Sequence, residues 1–220
     1  MNKQRRGEAT KERVLEEACM VFAEKGYRDA THAEICRRAG TNQAAVNYYF
    51  SSKDGLYTAV FEHLSQQVER LYPLDGGLPE AASPEKRLHA LIRALLGRMF
   101  DPVRLGVLHR IRMAEMFDPS GVLDEALARW LARDREHIQG VLGELLGPQA
   151  ARRDIEWCEL SVVSQCLICA PGPPGKGPRD IFRLETSELD RLMEHIFTFS
   201  LAGIKAIRRK NSPKAGRSRQ

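Results

Sequence analysis

Residues 40–57, "GTNQAAVNYYFSSKDGLY", decide how this chain is read. The stretch sets amides (Asn42, Gln43, Asn47) beside two alanines (Ala44, Ala45), then a tyrosine pair (Tyr48, Tyr49), then "SSKD". Asn42 can cap a helix over Gln43–Phe50, because its side-chain oxygen can accept an otherwise orphaned backbone N–H. At ~100° per residue, Val46 and Phe50 share one side of that helix with Tyr49 beside them. Ala44, Asn47 and Tyr48 point the other way, with Gln43 at the border. A helix that only packs has no use for such a second face.

The flanking segments supply the frame. In "THAEICRRAG" (31–40), Thr31 and Glu34 have the spacing of a capping box, Ile35 and Ala39 face inward, and Gly40 closes the helix. Two short helices joined by a turn read as a helix-turn-helix. Before them, Val14, Leu15, Ala18, Val21 and Phe22 recur at helical spacing between Ala9 and Lys25, with Gly26 as the expected stop. After them, Ser52 is expected to cap a helix from Lys53 that turns Leu56, Val60, Leu64, Val68 and Leu71 inward.

The outward face suits a DNA groove. Gln43 and Asn47 can each donate to and accept from adenine, and Ala44 allows close approach to a thymine methyl. The hydroxyls of Tyr48 and Tyr49 and the Lys53 ammonium suit phosphate oxygens. Thr31, at a helix N-terminus, offers a hydroxyl and free N–H groups to another phosphate.

Beyond Pro73 and "DGGLPEAASP" the helical pattern resumes. Ser83 and Pro84 open a helix to about Phe100. "DPVRLGVLHRIRMAEMF" follows, and Asp118-Pro119 is expected to start a helix to about Leu146. Residues 149–170 form another, rich in Ile155, Trp157, Leu160, Val162, Val163, Leu167 and Ile168. "APGPPGKGPRD" reads as a linker, and Ser187 is expected to cap a last helix to about Arg209. Strict strand alternation does not occur, so the expected fold class is all-α.

Composition excludes several classes. Hydrophobic residues make up 43% and charged residues 29%, a globular rather than disordered balance. No run of about 18 apolar residues offers a membrane span, and "MNKQRRGEATKER" lacks the apolar core of a signal peptide, so a cytoplasmic protein is expected. The five cysteines fall in apolar helical patterns, as buried reduced thiols do. "CLIC" (Cys166, Cys169) lacks a second Cys pair, so no metal is expected. The six histidines are scattered, neither H-E-x-x-H nor G-x-S-x-G occurs, and "GPPGKG" (172–177) lacks the spacing and Ser/Thr of a phosphate loop. No catalytic residue and no cofactor is expected. Net charge is +5, and seven basic residues without an acid lie between Lys205 and Gln220. That run is either a solvated tail or one that also meets DNA phosphates.

"TKERVLEEACMVFAEKGYRDATHAEICRRAGTNQAAVNYYFSSKDGLYTAV" resembles the DNA-binding domain of the TetR family of bacterial repressors. "NQAAVNYYF" with "SVVSQCLIC" and "HIFTFSLAGIKAI" is similar to its CecR-like branch. The resemblance implies that Gln43, Ala44 and Asn47 occupy base-reading places and Thr31, Tyr48, Tyr49 and Lys53 phosphate-holding ones. There are departures: Tyr is frequent in place of Asn47, His in place of Tyr49, and "SSKD" replaces the more usual Gly or Asn forms. It further implies an effector pocket between the middle helices; Met99, Phe100, Arg112, Met113, Met116, Phe117, Trp130 and His195 are candidate lining, and a stripe of Met and aromatics at helical spacing is alternatively core. Finally it implies a dimer built on the last two long helices, through Leu167, Leu192, Phe199 and Gly203. The 187–209 helix carries more apolar surface than one stripe needs, so it faces either a partner or a fully buried monomer core.

The expected organisation is a flexible basic segment (1–8), a helix-turn-helix domain (9–55), a helical ligand-binding and dimerisation domain (56–209) and a basic disordered tail (210–220). The expected function is a homodimeric regulator, a repressor on a palindromic operator in double-stranded DNA, released by a small-molecule effector. The competing readings are a non-specific architectural DNA-binding protein and an enzyme on a helical scaffold.

Overall fold

The computed structural model describes residues 3–100, 105–169 and 181–211. Helices form where apolar periodicity coincides with caps: α1 (Lys3–Asp29), α2 (His32–Ala39), α3 (Gln43–Phe50), α4 (Lys53–Leu71), α5 (Pro84–Phe100), α6 (Leu105–Phe117), α7 (Asp124–Leu146), α8 (Arg152–Leu167) and α9 (Leu189–Asn211). Among the described residues there is no strand, and the fold class is all-α. The 170–180 linker with its "GPPGKG", the start of "DPVR" at 101–104 and the tail from 212 lie outside the described residues.

The chain divides into two compact units. Residues 1–70 and 102–131 make the first, with α1 to α4, α6 and the start of α7; residues 71–101 and 132–220 make the second. The first unit takes in α4 as far as Arg70, and within it α6 packs on α1. In the first unit Val14, Ala18, Val21, Phe22, Ile35, Ala39, Val46, Phe50, Leu56, Tyr57, Val60 and Phe61 are buried. In the second, α5, α7, α8 and α9 close over Leu91, Ile92, Leu142, Val162, Met193 and Ile196. There Arg98 is buried and holds Asp134 at 2.8 Å, while its Nε donates to the Tyr72 carbonyl at 3.1 Å.

Local chemistry sets the hinges around α3. Thr31 Oγ1 accepts the Glu34 N–H at 3.3 Å, and Gly40 adopts the left-handed conformation (φ 59°) that ends α2 with few steric penalties. Asn42 caps α3 through Ala45 N–H at 3.0 Å, and Ser52 caps α4 through Gly55 N–H at 3.0 Å. Gly55 explains the "KDG" of the opening stretch. A Cβ there would lie 2.2 Å from the Phe50 carbonyl oxygen, so only glycine lets α4 start this close to the end of α3.

Several expectations are corrected. Residues 3–8 are helical in α1 rather than a flexible arm. Gly26 breaks the regular helix as expected (φ 73°, ψ 179°), and a separate helical turn beyond it completes α1 to Asp29. The capping box is only half made, because the Glu34 carboxylate pairs with Lys25 and with Arg38 (2.8 Å) instead of returning to Thr31. Asp118-Pro119 does not start α7, which begins at Asp124; Asp118 instead pairs with Arg28 at 3.0 Å. Helix α8 begins at Arg152 and ends at Leu167 rather than spanning 149–170. Ser187 sits within a single 3₁₀ turn (Thr186–Glu188) that precedes α9. Leu71 is half exposed rather than inward. Lys210 and Asn211, expected outside the last helix, belong to α9, and Asn211 is tied to Asp154 at 2.7 Å. All five cysteines are free and buried, and burial pushes the Cys166 thiol up to about 12.

Candidate nucleic-acid interface

The two faces of α3 separate as its angular spacing requires. Val46 and Phe50 are buried, Tyr49 is half-buried, and Gln43, Ala44, Asn47 and Tyr48 are exposed, Tyr48 by 82%. Burying Val46 and Phe50 stabilises the seating of the helix by about 1.5–3 kcal/mol each. The exposed residues are thereby carried on a fixed backbone. The Tyr48 and Tyr49 rings meet edge-on at 5.0 Å, which limits their rotation.

Helix α2 is clamped to α1 by charge. Arg38 reaches Glu24 (2.7 Å) and Glu34 (2.8 Å), and Lys25 pairs with Glu34. The Lys25 and then Arg38 hydrogen bonds hold the Glu34 carboxyl below its usual range, and the Arg38 bond does the same for Glu24. These are surface pairs, so they fix orientation more than they add stability.

Lys53 is engaged within the protein. Its ammonium donates to the Arg28 carbonyl at 3.1 Å and lies 4.6 Å from the centre of the Tyr27 ring. An ammonium has three N–H donors, so two remain for an incoming oxygen. The Thr31 oxygen accepts from the Glu34 N–H, and a hydroxyl so engaged keeps one donor.

Sequence reasoning missed the polar pairs behind these residues. The Tyr27 hydroxyl donates to Asp54 at 2.6 Å, and that bond, with burial, raises Tyr27 to about 12. The fully buried Tyr57 donates to Glu115 of α6 at 2.8 Å, and burial followed by that bond pushes its hydroxyl well up. Ser120 N–H and Oγ–H both donate to the other Glu115 oxygen at 3.0 Å. The only sequence signal for these bonds was a carboxylate at Glu115 inside an apolar helical pattern.

The eight candidate pocket residues fall in two units. Met99 and Phe100 are buried in the core of the second, and His195 is exposed on α9 with its ring stacked on Phe199 at 6.3 Å. Arg112, Met113, Met116, Phe117 and Trp130 belong to the first unit, where Met116 and Phe117 are exposed. The structure brings Arg112 and Trp130 together, guanidinium over indole at 4.4 Å. One turn earlier His109, which sequence reasoning passed over, is held below its usual range by burial and then by Arg112.

The second unit leaves an apolar strip open. Trp157, Leu160 and Leu167 on α8 and Ile168 just after it are exposed, as is Phe199 on α9 by 66%. Gln165 of α8 bonds Ser200 of α9 at 3.2 Å. No atom lies within 4 Å of where a Gly203 Cβ would stand. Leu192 packs partly against the core.

Comparison with known proteins agrees with this architecture. Residues 14–60 match the profile of bacterial regulatory proteins of the tetR family, and residues 84–204, more than half of the chain, match the C-terminal domain of the HTH-type transcriptional dual regulator CecR. The HTH-type transcriptional regulator SrpR of Pseudomonas putida is 27% identical over 135 residues, covering 61% of this chain and 60% of SrpR. The regulator BetI of Brucella canis is 30% identical over 79 residues, 36% of this chain and 39% of BetI. The alignments thus span only part of the length of these curated relatives. The crystal structure of a TetR transcription regulator from Haloarcula marismortui shares the fold, with a TM-score of 0.61 and 21% identity over 89% of this chain and 97% of that one. No described helix is long and apolar enough to cross a membrane.

Proposed function

This chain belongs to the TetR family of bacterial regulatory proteins and carries a CecR-type C-terminal domain, and we propose that it is a cytoplasmic DNA-binding transcription regulator acting as a homodimeric repressor. The observation that carries the reading is the split of α3 into a buried anchor and an exposed polar face. Gln43 and Asn47 read base edges in the major groove, and Ala44 permits the approach. Thr31, Tyr48, Tyr49 and Lys53 hold phosphates and fix the register.

Two copies pair through the exposed faces of α8 and α9, centred on Leu167, Phe199 and Gly203 with Leu192 at the margin. Burial of Trp157, Leu160 and Phe199 supplies the apolar area, and Gly203 lets two α9 helices approach closely. Two α3 helices related by a two-fold axis then read a palindrome with half-sites about a helical turn, or ~34 Å, apart or somewhat more.

A small-molecule effector shifts the population toward a form whose two α3 helices no longer match the operator, which requires different affinity for the two forms. Within the first unit the feature suited to an anionic or aromatic group is Arg112 over Trp130. Within the first unit the Tyr57–Glu115 bond is the physical link from α6 to α4.

Selection of duplexes from a random pool tests the proposal. An enriched inverted repeat supports it. Recovery of DNA without a consensus would favour the architectural reading, in which the basic C-terminal run supplies the affinity.

A further inference from the structure

The outward face of α3 carries no cation. Its eight residues, "QAAVNYYF", hold two amides, two alanines and a tyrosine pair, and neither Arg nor Lys. Arg or Lys on guanine is the commonest specific contact in the major groove, because both guanine acceptors there need donors. Helix α3 brings no such donor fork to the bases.

A side-chain amide matches one base in full. Its NH₂ donates to adenine N7 while its oxygen accepts from adenine N6–H. Against guanine the same oxygen would face O6, acceptor against acceptor. Of the three amides in "TNQAAVN" (41–47) only two keep both functions. Asn42 uses its oxygen on the Ala45 N–H at 3.0 Å. Gln43 and Asn47 are exposed, and no other described residue hydrogen-bonds either side-chain amide.

Their spacing limits what they can reach together. Residues four apart share a helix face and are separated by a rise of about 6 Å. Base pairs stack at about 3.4 Å, so the two amides span less than two steps and meet bases within three successive pairs. The exposed Ala44 lies between them along the axis and presents only a methyl. On the opposite side, the buried Val46 and Phe50 keep the helix from rolling.

We propose that each operator half-site contains a run of three base pairs in which α3 reads two adenines, one through Gln43 and one through Asn47, with a thymine methyl packed on Ala44. The proposal rests on α3 being the base-reading helix. It gives that helix a target class, A·T pairs recognised by their N7–N6 edges and methyl groups.

The test uses the full chain and the inverted repeat selected from a random pool, altered in one half-site at a time and followed by fluorescence anisotropy at one fixed salt concentration. An A·T to G·C change at a read pair should weaken wild-type binding by about 5- to 140-fold. 7-Deazaadenine, which lacks only the N7 acceptor, should cause a smaller loss at the same position. In Gln43→Ala the loss at one adenine should vanish while that at the other remains, and Asn47→Ala should show the reverse. Uracil in place of the contacted thymine removes one methyl and should weaken binding by about four-fold, and by less in Ala44→Gly. A guanine at either amide-dependent position, or two such positions more than two steps apart, overturns the base assignment and leaves α3 as the reader. Uracil without effect on the wild type overturns the thymine contact. Gln43→Ala and Asn47→Ala variants that lose as much on a scrambled duplex as on the repeat overturn the reading of α3 itself, so the failures are distinguishable.

Discussion

Replacing Tyr57 by Phe tests the internal support of the DNA-binding unit. The ring is fully buried, tilted against Phe22 at 4.6 Å and Tyr27 at 5.0 Å, and Phe keeps that packing. Only the hydroxyl is lost, and with it the 2.8 Å bond to Glu115. A hydrogen bond to a charged group contributes about 1.5–3 kcal/mol, so Tyr57→Phe should destabilise by about that amount. At about 2–4 °C per kcal/mol for a chain of this size, Tm should fall by about 3–12 °C. Glu115→Ala should cost more. It strips the Ser120 bonds as well and leaves the Tyr57 hydroxyl buried without its partner, a further ~1–3 kcal/mol. Denaturant unfolding followed by circular dichroism, run as a double-mutant cycle, isolates the pair. A coupling of about 1–3 kcal/mol is expected. A Tyr57→Phe variant within about 0.5 kcal/mol of wild type, with the two substitutions additive, would refute the claim that this bond joins α6 to α4.

Two further outcomes follow from the same geometry. Tyr27 is raised to about 12 by its bond to Asp54, so the stability it contributes is fully present below about pH 10 and is lost as pH rises through about 12. Absorbance titration should show two late-ionising tyrosines, Tyr27 and Tyr57, of which the Tyr27 transition moves down in Asp54→Asn, and a titration unaltered by that change would contradict the assignment. Phe199→Glu places a charge on the exposed strip of α9, and sedimentation should show the variant as a monomer with helical content unchanged. A Phe199→Glu protein that remains dimeric would move the interface elsewhere.

What could be read from the amino-acid order was what local rules determine. The face of α3 follows from a 3.6-residue period and a nearby Asn42 cap, so Val46 and Phe50 could be assigned inward and Asn47 and Tyr48 outward without knowing the rest of the chain. The choice of polar partners could not be read this way. Glu34 has capping-box spacing, yet Lys25 and Arg38 lie closer in space and win it. Asp118 has the look of a helix cap, but Arg28 takes it, and the Ser120 turn onto Glu115 delays α7 to Asp124. Periodicity puts Tyr49 beside the inward face and assigns Lys53 a phosphate, but the approach of both to α1 depends on tertiary packing rather than periodicity. The family profiles covering 14–60 and 84–204 agree with the sequence resemblance, and the fold they imply is the one observed.

The central claim is that α3 reads sequence. Gln43→Ala and Asn47→Ala, each measured at one fixed salt concentration on the selected inverted repeat and on a scrambled duplex, test it most directly. Each variant should lose about 1–3 kcal/mol on the repeat while its binding to the scrambled duplex stays nearly unchanged. Equal losses on both duplexes would contradict the account.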